Sequence, residues 1–249
     1  MGISMKKIIV ALLLSLPTMV FAAGGSNVPL DHADYDLTDK ASLQNGMKIY
    51  MNYCLGCHAQ QYQRHNTSFE DLGIPEELGE QYLQFTGEKV SDYIKSAMPT
   101  ESASKWFGAP PPDLTLVARV RGADWLYTYL RTFYKDESRP FGVNNKVFPD
   151  VGMPHVLQEL QGMPSQTTEK RMVDGELVDR YIGIKSDGKG ELSESEYDQA
   201  VLDLVNYLVY TGEPARLERE AMGKWVLVFI LVLFVFVFLL KKDYWREVH

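Results

Sequence analysis

The sequence predicts a mainly α fold: a helical domain with inserted loops and a small hairpin, followed by one C-terminal transmembrane helix. Three observations predict it. Apolar side chains recur at helical spacing in Leu43, Met47, Tyr50 and Met51, and again in Tyr197, Val201, Leu204, Val205 and Leu208. A run of sixteen apolar residues, Trp225–Leu240, is unbroken near the C-terminus. Both cysteines of the 249-residue chain, Cys54 and Cys57, stand three apart, with His58 next in line.

In chain order, residues 1–22 read as a secretory signal peptide. Lys6 and Lys7 give the positive start, Ile8–Leu16 the short apolar core, and Val20-Phe21-Ala22 the small-residue cleavage site before Ala23. Pro17 and the shortness of the apolar run speak against a first transmembrane helix. Export places the cysteines in an oxidising compartment, where thiols ordinarily pair as disulfides.

Thr38-Asp39-Lys40 opens the first helix, which runs straight into Tyr53-Cys54-Leu55-Gly56-Cys57-His58. C-x-x-C-H is the attachment signature of c-type haem. Two intervening residues put both sulfurs and the imidazole on one side of a single helical turn, so that each thiol can bond a vinyl group while His58 ligates the iron. A disulfide or a redox pair leaves the histidine unexplained. A zinc site needs further ligands, and only the scattered His32, His65, His155 and His249 remain. For a sixth ligand three methionines precede proline, Met98, Met153 and Met163, as suits a thioether carried on a loop; His155 is a further candidate. Val90–Ile94 reads as the end of a helix leading to Met98, and residues 65–105 otherwise give no fold. Arg119 and Arg121 alternate, so only one need face the site.

The segment from Glu176 to Glu191 reads as an inserted hairpin about a Ser186-Asp187-Gly188-Lys189-Gly190 turn. It is no calcium loop: with Gly190 at position six, lysines fall at positions one and five. Ser193-Glu194-Ser195-Glu196 is a capping box opening the late helix, which stops at Gly212 before Pro214. The organisation is then a signal peptide (1–22), an exported domain (23–220), a transmembrane anchor (221–241) and a short tail (242–249). Trp225, Tyr244 and Trp245 sit where interfacial aromatics belong, and Lys241, Lys242 and Arg246 place the C-terminus on the cytoplasmic side. The span holds no ionisable residue and so offers no ion pathway. Setting aside the two lysines of the signal and the four bases and two acids from Lys224 onward, residues 23–223 carry 31 acidic against 19 basic side chains. That balance excludes nucleic acid as a partner and suits a basic soluble one.

Two resemblances extend this reading. Gly46 in the first helix and Val205-Asn206-Tyr207-Leu208 in the last resemble the crossing terminal helices of class I cytochromes c. Further, Ala109-Pro110-Pro111-Pro112-Asp113-Leu114-Thr115, then Arg119-Val120-Arg121, resembles the proline-rich segment of cytochrome c1, the haem-c subunit of the quinol–cytochrome c reductase (bc1) complex. The other hallmarks follow in order: Tyr62-x-Arg64 after C-x-x-C-H, Val151-Gly152-Met153, the late amphipathic helix, Gly212-Glu213-Pro214, and one span ending in Lys-Lys-x-Tyr-Trp. The resemblance covers nearly the whole chain after the signal. It implies one haem c, bonded to Cys54 and Cys57, with His58 and Met153 as axial iron ligands and Arg121 at a propionate. It also implies cytochrome b and Rieske iron–sulfur subunits as partners, a cytochrome c acceptor, a dimeric complex, and an inner-membrane location with the haem domain in the periplasm. The chain departs from the family at Lys105-Trp106-Phe107-Gly108-Ala109, where many members have Asn-Asn-Gly-Ala; Trp106 there supplies an indole N–H or packs.

Two other functions stand beside this one. A free-standing membrane-tethered shuttle needs only a small haem domain, and the excess length here suggests partner surface. A catalytic or sensing haem protein needs an open iron site, which a methionine ligand closes.

Overall fold

The computed structural model describes residues 28–87, 89–173 and 176–246. The signal assigned to 1–22 lies outside them. Helix α1 (Lys40–Ile49) begins at Asp39, whose carboxylate accepts the Ser42 N–H at 3.1 Å, and it buries Leu43, Met47 and Ile49. A wider π turn, Tyr50–Cys54, carries the chain on into the cysteine segment.

Residues 60–107 then form short elements that no local pattern announced: β1 (Gln60–Arg64), α2 (His65–Leu72), α3 (Glu76–Leu83), β2 (Tyr93–Ile94) and α4 (Thr100–Phe107). The helix end expected at Val90–Ile94 is corrected here. Tyr93 and Ile94 pair antiparallel with β1, and Ile94 is buried opposite Gln60. A strand of two residues exists only because its partner is present, so periodicity had nothing to report.

His65, at the head of α2, is fully buried beside Phe69, and neither ring nitrogen has a hydrogen-bond partner. Burial holds this imidazole below the ordinary histidine range, against the opposing pull of Asp92. The unfolded chain protonates it near pH 6.5 while the folded chain resists. Its contribution to stability is therefore complete above that pH and is lost as the pH falls. His65→Phe should flatten the loss of stability between about pH 7 and 5. Denaturation midpoints that decline in parallel for both proteins would exclude His65 as a source of acid sensitivity.

Farther along come α5 (Val117–Arg121) and α6 (Ala123–Arg131), broken apart at Gly122 with φ of 90°, and then the pair β3 (Phe133–Lys135) and β4 (Val143–Asn145). After α7 (Gln158–Gln161), strands β5 (Pro164–Val173) and β6 (Glu176–Ser186) form a long antiparallel ribbon with Val173 opposite Glu176. This corrects the hairpin placed within 176–191. Glu176–Ser186 is only its second arm, paired antiparallel with Pro164–Val173. The Ser186–Gly190 segment instead packs on α7: a Cβ on Gly190 would come within 2.4 Å of the backbone at Leu160, Gln161 and Gly162.

Helix α8 (Glu194–Gly212) opens on the predicted capping box, with Ser193 and Glu196 each capping the other. It crosses α1 at Gly46, where a Cβ would lie 2.0 Å from the Asp203 carbonyl oxygen and 2.8 Å from the Tyr207 Cβ. Beside the crossing, the buried Asp203 carboxylate accepts from Ser42 (2.7 Å), Asn45 (2.7 Å) and Gln199 (2.8 Å), so neutral donors satisfy it. Helix α9 (Arg216–Tyr244) follows after three residues. Among the described residues it is the one helix long and apolar enough to cross a membrane, and none of its residues is buried.

Candidate functional site

The π turn determines what Cys54, Cys57 and His58 can do. Leu55 N–H donates back to Tyr50 O at 3.0 Å, and the Cys54 carbonyl accepts from both Cys57 N–H (3.1 Å) and His58 N–H (2.8 Å). A single carbonyl thus folds the motif on itself. The buried Tyr50 hydroxyl donates to the His58 carbonyl at 2.6 Å and fixes the backbone there. Wide turns of this kind recur at functional positions.

The proline-rich segment closes over the motif. Leu114 N–H donates to Ala59 O at 2.9 Å, and Asp113 accepts from Gln61 N–H (2.7 Å) and Thr115 N–H (2.9 Å). This brings the Pro112 carbonyl to 2.7 Å from His58 Nδ1. Proline has no N–H, and a carbonyl only accepts, so Nδ1 carries the proton and Nε2 keeps its lone pair. A backbone carbonyl on Nδ1 is the arrangement that orients an iron- or metal-binding imidazole. Burial draws the His58 pKa down and so favours the neutral ring that can ligate, against the opposing pull of the Pro112 bond and Asp113.

Cys54 is buried and Cys57 half-buried; both are free thiols. Burial first, then the neighbouring Cys57, pushes the Cys54 thiol up to about 12, and burial also raises Cys57. Neither is a thiolate near neutral pH, which argues against a redox pair or a thiolate metal site. Among the described residues no three His, Cys, Asp or Glu side chains gather to hold a metal ion. Two neutral thiols and an oriented imidazole fit a covalently held haem.

Met153 lies on a braced loop. Arg139 holds Asp150 through its carboxylate (3.0 Å) and its carbonyl (2.8 Å), Asn144 accepts Asp150 N–H at 2.8 Å, and the buried Asn145 accepts from Val147 and Phe148 N–H. Asp150 itself adopts φ of 62°, a left-handed conformation these contacts stabilise. The Tyr129 hydroxyl donates to Met153 Sδ at 3.3 Å. Tyr129 stacks on Trp125 (4.9 Å, 11°), and the Arg121 guanidinium lies 5.0 Å from the Trp125 ring. Arg121, Trp125, Tyr129 and Met153 therefore form one continuous line. Cys54, Val151 and Tyr129 share one apolar core, against which Met153 packs.

The other candidates part company. Arg119 is ion-paired to Glu213 at 2.8 Å, whereas Arg121 has no carboxylate partner among the described residues. The Met98 segment is tied to the motif, because Ser96 hydroxyl donates to Gly56 O (2.9 Å) and accepts Met98 N–H (3.2 Å). Met163 sits at the base of the ribbon, its N–H on Asp187 at 3.1 Å. His155 is buried and stacked on Phe133 (4.9 Å, 11°), and burial pushes it down to about 4. Trp106 is largely exposed, while its neighbour Phe107 pairs with Phe141. Sequence reasoning missed Tyr129, Trp125, Arg139 and the Pro112 carbonyl; only the Asn144-Asn145 pair carried a turn signal that pointed to the braced loop.

A model of the Cytochrome C1 family matches residues 32–248. The chain is 50% identical over 246 residues to the cytochrome c1 of Allochromatium vinosum, covering 98% of this chain and 100% of that one. It is 44% identical over 244 residues to a protein of Nitrosomonas europaea named ammonia monooxygenase gamma subunit, covering 98% of each. Against the cytochrome c1 of Rhodobacter capsulatus the identity is 24% over 279 residues, covering 97% of each. With a haem-binding motif, an oriented histidine and one membrane-length helix already in place, the chain belongs to the cytochrome c1 family: a membrane-anchored haem-c electron-transfer subunit of the bc1 complex, carrying one covalent haem c.

Proposed function

We propose that Cys54 and Cys57 hold the haem through thioether bonds, that His58 and Met153 are its axial ligands, and that Arg121 pairs with a propionate. The 2.7 Å bond from His58 Nδ1 to the Pro112 carbonyl carries this reading, since it directs Nε2 away from the proline segment as a ready ligand. The helix crossing at Gly46 supports a class I cytochrome c-like arrangement of the head. When bound, the haem iron supplies a one-electron couple. The protein's own residues bind, orient and exclude water: Tyr50 and Pro112 fix the histidine, Tyr129 holds the methionine sulfur, and Arg121, stacked on Trp125, remains available to a carboxylate.

On this reading the subunit takes electrons from the Rieske iron–sulfur protein and passes them to a cytochrome c acceptor, within a dimeric complex that includes cytochrome b. The signal at 1–22 sends the domain 23–220 to the periplasm, residues 221–241 cross the inner membrane, and 242–249 face the cytoplasm. Cys57→Ala should abolish, or reduce to a single bond, the covalent haem attachment, read as loss of haem stain on a denaturing gel and a shifted pyridine haemochrome band. An unchanged band and stain would remove Cys57 from the role.

The second reading is a free-standing tethered shuttle, and the Nitrosomonas europaea relative carries the name of yet another assembly. Mild detergent extraction separates the three. Co-purification with a haem-b subunit and an iron–sulfur protein supports the relay; isolation alone supports the shuttle; an ammonia monooxygenase partner supports the last.

A further inference from the structure

The junction between head and anchor lacks the usual means of fixing one body on another. Helix α9 buries none of its residues against the head, so no apolar interface within this chain fixes its direction. Only Glu213, Pro214 and Ala215 separate it from α8. What spans the junction is polar. The Glu213 carboxylate, 23% exposed, accepts from Arg119 Nη1 of α5 at 2.8 Å through one oxygen and from Arg219 Nε of α9 at 2.5 Å through the other. The Arg119 side chain lies across Gly212, where a Cβ would approach its Cγ to 3.2 Å. A second tie meets the same turn of α9: Arg216 Nη1 donates to the Tyr35 hydroxyl at 2.8 Å, and Arg216 Nε pairs with Glu220 at 2.8 Å. Residues 216 and 219 are neighbours on one helix face, so the two ties fix both the direction of α9 and its rotation.

We propose that Glu213 is a positioning residue for electron transfer: its carboxylate joins α5, the helix that carries Arg121, to the first turn of the membrane anchor, and so sets the orientation of the haem-bearing head above the membrane. Isolated surface ion pairs contribute little, but one largely covered carboxylate shared by two guanidiniums is the networked case in which geometry is held. Arg219 first, then Arg119 and Arg216, keep the Glu213 carboxyl below its ordinary range against the opposing effect of burial. The same pairing leaves Arg121 as the free cation of the Arg119-Val120-Arg121 segment.

The proposal rests on the haem lying in the head and α9 spanning the membrane. Its test is the orientation of the ferric haem axes, read by electron paramagnetic resonance on oriented membrane multilayers holding the full-length protein. Glu213→Gln and Arg119→Gln should each broaden the angular distribution, lowering the aligned population by about two- to fivefold, the range for coupled, partly exposed charges. The double variant should broaden it no further than Glu213→Gln alone, because that change already breaks the Arg119 contact. Haem stain, absorption spectrum and the unfolding midpoint of the head should stay unchanged. Raising the salt on the unaltered protein should reproduce the broadening, since these charges lie within reach of screening ions. An unaltered distribution in Glu213→Gln overturns the proposal. If that variant fails to assemble, Arg119→Gln and the salt series decide in the same way. A wrong assignment of the span shows differently, as an unaltered protein with no preferred orientation at all.

Discussion

Met153→Leu should leave haem attached to the chain, lower the reduction potential and abolish quinol–cytochrome c turnover. Thioether ligation favours the ferrous state, and leucine offers no lone pair. The expected shift exceeds a tenfold change in the ferrous-to-ferric ratio, more than about 59 mV for a one-electron couple. Leucine and methionine are close in volume, so the packing cost stays below about 1.5 kcal/mol. The Tyr129 hydroxyl also loses its acceptor, costing about 1 kcal/mol more. The head should therefore still fold, and carbon monoxide should now bind the reduced protein. Redox titration of the purified variant checks this directly. A potential equal to that of the unaltered protein would return the distal position to Met98, Met163 or His155.

Gly46→Ala should destabilise the head far more than its single added methyl implies. The new Cβ would sit 2.0 Å from the Asp203 carbonyl oxygen, 2.7 Å from its carbon and 2.8 Å from the Tyr207 Cβ. Two of these atoms are backbone and the third is the stem of a fully buried tyrosine, so no side-chain rotation relieves the clash. Helices α1 and α8 must move apart, loosening the Asp203 network and the Tyr50–Tyr207 contact (5.7 Å) that steadies the haem turn. Overpacking of this kind costs about 1–3 kcal/mol or more, against a gain of at most about 1 kcal/mol from better helix propensity. Thermal unfolding of the haem-loaded protein should show a midpoint lower by several degrees. Gly223→Ala serves as the control, because nothing lies within 4 Å of a Cβ there. Equal midpoints for the two variants would refute the close crossing.

Local signals were legible in the sequence and tertiary ones were not. Asp39, the Ser193–Glu196 box and the Trp225–Leu240 run act within a few residues of themselves, so pattern alone located α1, α8 and α9. The two-residue strand Tyr93–Ile94 has no meaning without Gln60 across from it. The ribbon was misplaced because the Gly-rich segment at 186–190 carries turn composition, whereas the pairing of Glu176–Ser186 with Pro164–Val173 is a contact between strands. At the site, C-x-x-C-H declared its chemistry outright. The partner of His58 is a backbone carbonyl 54 residues away, which no side-chain motif encodes. Tyr129 stands among Trp125 and Tyr127, and only the turn of α6 shows which aromatic reaches the sulfur.

The depth of Cys54 bears on the making of the protein. In the folded head only 7% of Cys54 is exposed, burial holds its thiol protonated, and it lies near enough to Tyr50 and Tyr207 to raise both phenols. A maturation enzyme needs room to bring a porphyrin edge to that sulfur. A head closed over that sulfur therefore leaves less room for bonding it than an open one does.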